Sequence, residues 1–323
     1  MVHTLPEYAK TVAVEKSRAI IELFPEESDI LGVLPYKTAP GGRYGYFREG
    51  ALPNNMGFRA INETPLDGYG VVNDLTEQCF PIAGNIDVDR VLINRYGMER
   101  RSTEERMSIK RKAKVLTDTF MTGDNFSNPK EYTGIKNRLR AVGSGSTSVD
   151  GSNYESRVIA NSQSSGGAAL SLAMLDLAIS LVENPTHILL PKKLRDRFPA
   201  AVRDAGVGGV YTNDTEDMGR RVARYQGLPM LIGYGITPFG AFLPFNEVAY
   251  GGGSAVTASI YILSFGETGV SGLETSPMQV TDIGLMENGV HYRTNIEHDT
   301  GLCIEGAYAG MRLSSVTDAA IVK

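Results

Sequence analysis

One stretch limits this chain more than any other. Residues 36–66 read YKTAPGGRYGYFREGALPNNMGFRAINETPL, with Pro40, Gly41, Gly42, Gly45, Gly50, Pro53 and Gly57 breaking every helical period. Aliphatic residues able to build a core are few. Fixing each residue costs about 1–2 kcal/mol of backbone entropy, and these 31 residues cannot offset that from their own contacts. Two readings remain open: a mobile surface loop, or a segment ordered against a neighbouring copy. Within it, residues 43–49 and 58–62 read as the strands of a long hairpin, with turn chemistry over residues 50–55.

The next strong signal is helical. Residues 88–122 hold no proline and a single glycine. Val88, Val91, Met98, Ser102, Ile109, Ala113, Leu116 and Phe120 recur at steps of three, four and seven, which predicts one long amphipathic helix. At about 1.5 Å per residue it would span about 50 Å, with a stop at Gly123 and Asp124. Cations crowd residues 95–114, yet Glu104 is followed four residues on by Ser108 and Glu105 by Ile109, so the supportive i,i+4 pairs are missing. The basic face is either solvated or meets acidic neighbours or packaged nucleic acid.

Elsewhere the elements are shorter. Residues 11–24 predict a helix ended by Pro25, then a polar hinge at residues 26–29 and an apolar stub at residues 30–34. Residues 70–86 read as extended chain, residues 125–139 as a loop and short helix, and residues 143–152 as a flexible connector. A helix follows over residues 168–182 with Leu170, Met174, Leu177 and Leu181 on one face. Then come a buried strand at residues 186–190 and a helix opened by Pro191. Strands are predicted at residues 211–212, 221–225, 230–234, 256–265 and 278–285, and residues 291–311 alternate to close the fold. No internal repeat is visible.

Composition excludes several classes. A net charge of −5 does not suit a protein that coats nucleic acid by counterion release. Two distant cysteines, Cys79 and Cys303, make no disulfide framework and fit a reducing compartment. No secretory leader is read at the start, and no apolar run approaches the ~20 residues that span a bilayer. Catalytic candidates fail on context. Gly206, Gly208 and Gly209 lack the Gly-Lys-Ser/Thr of a phosphate loop and read as a helix cap and turn. His187 opens an apolar strand and reads as structural. His291 and His298 flank Glu297 and Asp299, but residues seven apart fall on opposite strand faces, which argues against a shared metal. No serine sits in a nucleophile elbow, and Cys79 and Cys303 read as buried, inert thiols.

The order of features then carries a resemblance: an arm, a glycine-rich loop, a long charged helix, an α/β region. GFRAINE at residues 57–63, GNIDVDR at 84–90, TFMTGD at 119–124 and NPKEYTGI at 128–135 resemble the tailed-phage major capsid proteins of Hong Kong 97 type. So do LSLAMLDLAISLVENPTHILLPKKLRDRF at 170–198, GRRVARYQGLPMLI at 219–232, SIYILSFGETGVSGL at 259–273 and TNIEHDTGLCIEGAYAGMRLSSV at 294–316. No one motif decides; their order over nearly the whole chain does.

The resemblance implies an α+β fold. Residues 1–35 would be an N-terminal arm, 36–82 an extended β-hairpin loop region, and 83–165 a peripheral domain with a spine helix over 88–122. Residues 166–270 would form an α/β axial domain, and 271–323 the return strands through the peripheral domain plus a C-terminal axial strand. It implies hexamers and pentamers of an icosahedral shell around double-stranded DNA, with a scaffolding protein, a portal protein and a decoration protein as partners. Assembly would take place in the bacterial cytoplasm and the product would be the virion. No catalytic residue, cofactor, metal or membrane is implied. Because no long charged region precedes the arm, scaffolding is expected on a separate protein and propeptide cleavage is not. Lys37 is the lone lysine of the loop and stands at its base, so the covalent Lys–Asn crosslinks of some relatives are not carried over. The expected inter-subunit contacts are Glu26 and Glu27 in the arm; Lys37, Arg43, Tyr44, Tyr46, Phe47, Arg48, Glu49, Met56, Phe58 and Arg59 in the loop; and Arg100, Arg101 and Arg106 on the helix. A cellular compartment of encapsulin type shares the implied fold and is the alternative. A hydrolase using the serine-rich connector or residues 291–299 is the remote one.

Overall fold

The computed structural model describes residues 2–51, 53, 55–140, 157–205, 211–215, 221–233 and 242–322. Three helices open the chain: α1 (Leu5–Ala9), α2 (Glu15–Glu27) and α3 (Asp29–Val33). Pro25 does not end α2 as expected. It lies in the last turn, where its missing N–H forfeits one i→i−4 bond without stopping the helix, and the break comes at Ser28 in extended backbone. The expected polar hinge is in fact packed: Ser28 is buried and its hydroxyl accepts from Thr117 Oγ1 at 2.7 Å. Ile20, Ile21 and Phe24 of α2, with Ile30 and Leu31 of α3, point into the main core.

After β1 (Tyr36–Thr38) and a 3-10 turn at Pro40–Gly42 come β2 (Arg43–Ala51), β3 (Val71–Gln78) and β4 (Phe80–Asp89). A long hairpin forms, but with a different second strand. β2 pairs with β3 from Arg43↔Gln78 to Ala51↔Val71, and residues 58–62 pair with nothing described. Asn73, Leu75 and Glu77 of β3 alternate half-buried with exposed neighbours, the period a paired strand needs. Residues 55–70 are exposed throughout except at the half-buried Asn55.

The expected single long helix is two, α4 (Arg90–Tyr96) and α5 (Met98–Thr122). Val88 and Asp89 belong to β4, and the Asp89 carboxylate caps α4 by accepting from Val91 N at 2.7 Å. Gly97 breaks the run at φ 81°, ψ 178°, a region essentially reserved for glycine. The stripe holds only in the later turns of α5: Ile109, Ala113, Leu116 and Phe120 are buried, whereas Val91, Met98 and Ser102 are exposed, and the buried Val88 belongs to β4. The stop at Gly123 works by close approach. Gly123 N donates to Thr119 O at 2.9 Å and Gly134 N to Gly123 O at 2.8 Å, leaving no room for a side chain at either.

The remaining elements are α6 (Ile135–Arg138), β5 (Val158–Ala160), α7 (Leu172–Ser180), β6 (His187–Leu189), α8 (Lys192–Arg195) and α9 (Phe198–Ala205). Then follow β7 (Tyr211–Thr215), β8 (Arg221–Tyr225), β9 (Leu228–Leu231), β10 (Glu247–Val248), β11 (Ala255–Leu263), β12 (Val270–Glu274), β13 (Gln279–Leu285), β14 (His291–Ile304) and β15 (Gly310–Thr317). The face assigned to α7 is corrected: Leu177 and Leu181 are exposed, and Leu172, Leu175, Ala178 and Ile179 are buried against the sheet. The single helix expected after Pro191 is split into α8 and α9. The connector at residues 143–152 and the Gly206, Gly208 and Gly209 turn lie outside the described residues.

Among the described residues the strands make three sheets. One is β1-β12-β14-β13 with β4 on the other edge of β14; one is β5-β15-β11-β6-β9-β8-β7 with β10 on β11; the third is the β2–β3 ribbon. The main core lies between the first sheet and α2, α3, α5 and α6, and a second core lies between α7 to α9 and the large sheet.

Candidate functional site

The β2–β3 ribbon has a rigid root and a bare tip. At the root, Glu305 gathers the first strand. Its Oε1 accepts from Lys37 Nζ at 2.5 Å and Tyr44 Oη at 2.7 Å, and its backbone oxygen accepts from Arg48 Nε at 3.0 Å. Lys37 also donates to Glu267 O, and Arg48 to Ile304 O. The return strand is held from the other side. The half-buried Arg138 guanidinium of α6 clasps Glu77 with two bonds, one of them Nη2 to Oε2 at 2.8 Å, and reaches Leu302 O at 3.2 Å. Such forked, partly desolvated pairs fix direction as well as energy. Tyr44 and Tyr46 stack 6.2 Å apart beside Leu273 and Cys303. Burial pushes the Cys303 thiol up to about 12 and the Cys79 thiol up to about 11, so both stay protonated.

Beyond the root, nothing among the described residues covers the loop. Met56, Phe58, Ile61, Leu66 and Tyr69 are each at least 75% exposed. So many large apolar side chains on one exposed segment exceed what solitary surface residues explain.

A second joint holds the amino-terminal helices. Asp282 on β13 accepts from Lys16 Nζ of α2 at 2.7 Å and from Arg101 Nη2 of α5 at 2.6 Å. Burial opposes ionisation of Asp282, but those two donors outweigh it and hold its carboxyl at about 2. Arg101 Nε also meets Glu105 at 3.2 Å, and Arg100 pairs with Glu104; both i,i+4 pairs run cation first, the reverse of the order sought in the sequence. Lys110 of α5 reaches Glu27 of α2 at 2.9 Å.

The expected contact residues thus divide. Lys37, Tyr46, Arg48 and Arg101 are buried in their own subunit and hold the loop and helix in place. Tyr44 and Glu27 are half-buried with internal partners. Glu26, Arg43, Phe47, Met56, Phe58, Arg59, Arg100 and Arg106 are exposed. Glu49 lies in β2, and its side chain is outside the described residues. Sequence reasoning missed Glu305, Glu77, Arg138 and Asp282. Their partners lie far off in sequence, and no local pattern marks them.

No built catalytic constellation appears at the histidines. His187 packs on Phe265 at 5.1 Å, and burial holds its pKa near 4. His298 is buried against Glu274 at 3.4 Å, while His291 lies at the far end of β14 beside Asn288. Among the described residues no group of three or more His, Cys, Asp and Glu is placed to hold a metal ion, and no helix is long and apolar enough to cross a membrane.

No protein-family model matches this chain, and no curated protein matches its sequence. Solved structures do match. The holo-SrpI encapsulin of Synechococcus elongatus PCC 7942 is 13% identical, with a TM-score of 0.60 over 91% of this chain and 89% of that one. The capsid of a native GTA particle is 16% identical, with a TM-score of 0.57 over 90% of each chain. The cyanophage A-1(L) capsid is 11% identical, with a TM-score of 0.56 over 87% of this chain and 90% of that one. The α+β fold is the Hong Kong 97-type fold that the sequence resembles.

Proposed function

We propose that this chain is the major capsid protein of a tailed bacteriophage, a structural subunit that assembles into hexamers and pentamers of an icosahedral shell around double-stranded DNA. The observation that carries the reading is the bare loop tip on a stapled root, borne on a fold found in shells. Burying one side chain the size of Phe58 on a neighbour releases about 1.5–3 kcal/mol, and the gain repeats at every subunit of a closed shell. Obligate interfaces of this kind bury about 2,000 Å² or more.

In this reading residues 1–35 are the arm, 36–82 the loop region, 83–165 and most of 271–323 the peripheral domain, and 166–270 the axial domain. The exposed Arg43, Phe47, Met56, Phe58 and Arg59 meet the next subunit. Scaffolding, portal and decoration proteins are the expected partners, and assembly in the host cytoplasm yields the virion. An encapsulin-type compartment is the second reading, favoured by the match to the Synechococcus shell protein.

Expression of the chain and electron microscopy of the product test the proposal. Closed shells are expected, and a lasting small oligomer under all conditions would overturn it. Nuclease-protected double-stranded DNA in particles from infected cells decides for a virion, and an enclosed protein cargo decides for the compartment.

A further inference from the structure

The start of the chain is held at a carboxylate that has no permanent cation beside it. Glu274 ends β12 and is 1% exposed. Its Oε2 meets His298 Nε2 at 3.4 Å, and its Oε1 lies 2.9 Å from His3 Nε2. Among the described residues no lysine or arginine pairs with it. The His3 contact is close but not aligned as a hydrogen bond, and neither atom has another partner among the described residues. Such a contact is weak between a neutral ring and a carboxylate and much stronger once the ring is charged. The two imidazoles differ in access. The His298 side chain is wholly buried and its Nδ1 has no partner among the described residues, so a proton added there would be stranded. The His3 side chain keeps 19% exposure and can exchange protons with water.

The groups facing this pair leave the change of charge to His3. Burial, and after it the charge of Glu274, raises the Tyr8 hydroxyl of α1. Burial raises the Tyr36 hydroxyl of β1 and pushes the Cys79 thiol up to about 11, with Asp299 adding negative charge beside Cys79. All three stay neutral over about pH 5–8, the range in which histidine titrates. Glu7 of α1 also acts on His3; the Thr4 backbone N–H and hydroxyl, and to a lesser degree Lys10, hold its carboxyl below the usual range, so it stays ionised. His3 N donates to Tyr36 O at 3.2 Å and Tyr36 N to His3 O at 2.8 Å, which fixes His3 beside β1. Leu5 and Ala9 of α1 are buried in the main core, and a helix of five residues does not hold by itself. We infer that the His3–Glu274 contact is a proton-operated latch: it holds α1 on β1 and β12 while His3 carries a proton and frees residues 3–9 as that proton is lost. Docking and protonation favour each other, so the latch contributes near about pH 5 and its contribution is lost as pH rises toward about 8. It belongs to the free chain and does not depend on the shell reading.

Native-state hydrogen exchange of the free chain tests this. Protection of the α1 amides, corrected for the intrinsic pH dependence of exchange and referred to those of α5, is expected to fall by about tenfold between about pH 5.5 and 8, the difference between a charged and a neutral contact. His3→Gln keeps a donor but takes no charge, and it is expected to show the weaker protection at both pH values. Glu274→Gln is expected to lose the pH dependence, and His298→Gln to keep it. His3 is partly exposed, so His3→Gln decides the matter even where Glu274→Gln does not fold. Wild-type protection that does not vary with pH, an unchanged pH dependence in His3→Gln, or its loss in a folded His298→Gln would each overturn the inference.

Discussion

Single side chains here act mainly by joining distant parts of the chain. Arg138 and Glu77 join α6 to the returning strand of the loop. Arg138→Ala leaves the half-buried Glu77 carboxylate unmatched and is expected to cost about 2–3 kcal/mol in urea unfolding. An unchanged midpoint would mean that the clasp does not hold the root. Asp282 gives a pH signature. Its carboxyl is held at about 2 in the folded chain against an ordinary 3.8, so its contribution is present above about pH 4 and is lost as pH falls toward 2. The stability gap between wild type and Asp282→Asn should therefore be wide at pH 6 and close progressively below pH 4; a gap that does not vary with pH would refute the linkage. Lys112 behaves oppositely. A buried base with a depressed pKa is a burden below about pH 8, and that burden is relieved as pH rises toward the ordinary 10.5. Relative to Lys112→Met, the free wild-type subunit should gain stability over that interval.

At the scale of elements, Gly97 sets the angle between α4 and α5. Gly97→Ala forces a side chain into a conformation that only glycine adopts freely and is expected to cost about 1–3 kcal/mol, visible as a lower thermal midpoint. Gly97 also marks where the sequence was legible and where it was not. Periodicity located the helix, the hairpin's first strand and most of the large sheet, because each is written in neighbouring residues. It missed the break at Gly97, since a glycine inside a helical pattern and a glycine at a kink look alike. It chose residues 58–62 as the hairpin's second strand because they follow the turn residues directly. The true partner, β3, lies twenty residues beyond β2 and is selected by its alternation against Tyr46 and by the Glu77 clasp. Of the candidate site, the loop could be read from its composition. Which of its cations turn inward could not, because Lys37 and Arg48 are held by the Glu305 carboxylate and by carbonyls more than 200 residues away.

For the whole molecule, the decisive variant removes the bare tip and keeps the root. Ala51 and Val71 already face each other at the end of the ribbon, so replacing residues 52–70 by Asn-Gly closes a tight two-residue hairpin. The shortened chain is expected to fold with near wild-type stability and to form no shells by light scattering; normal particles would remove the loop from the assembly mechanism. The contrast between clamped root and bare tip has one more consequence. On the shell reading, a stalk clamped at its root and ending in an uncovered apolar tip would let identical copies grip neighbours at the different tilts that five-fold and six-fold positions of a closed polyhedron demand, without any copy rearranging its interior.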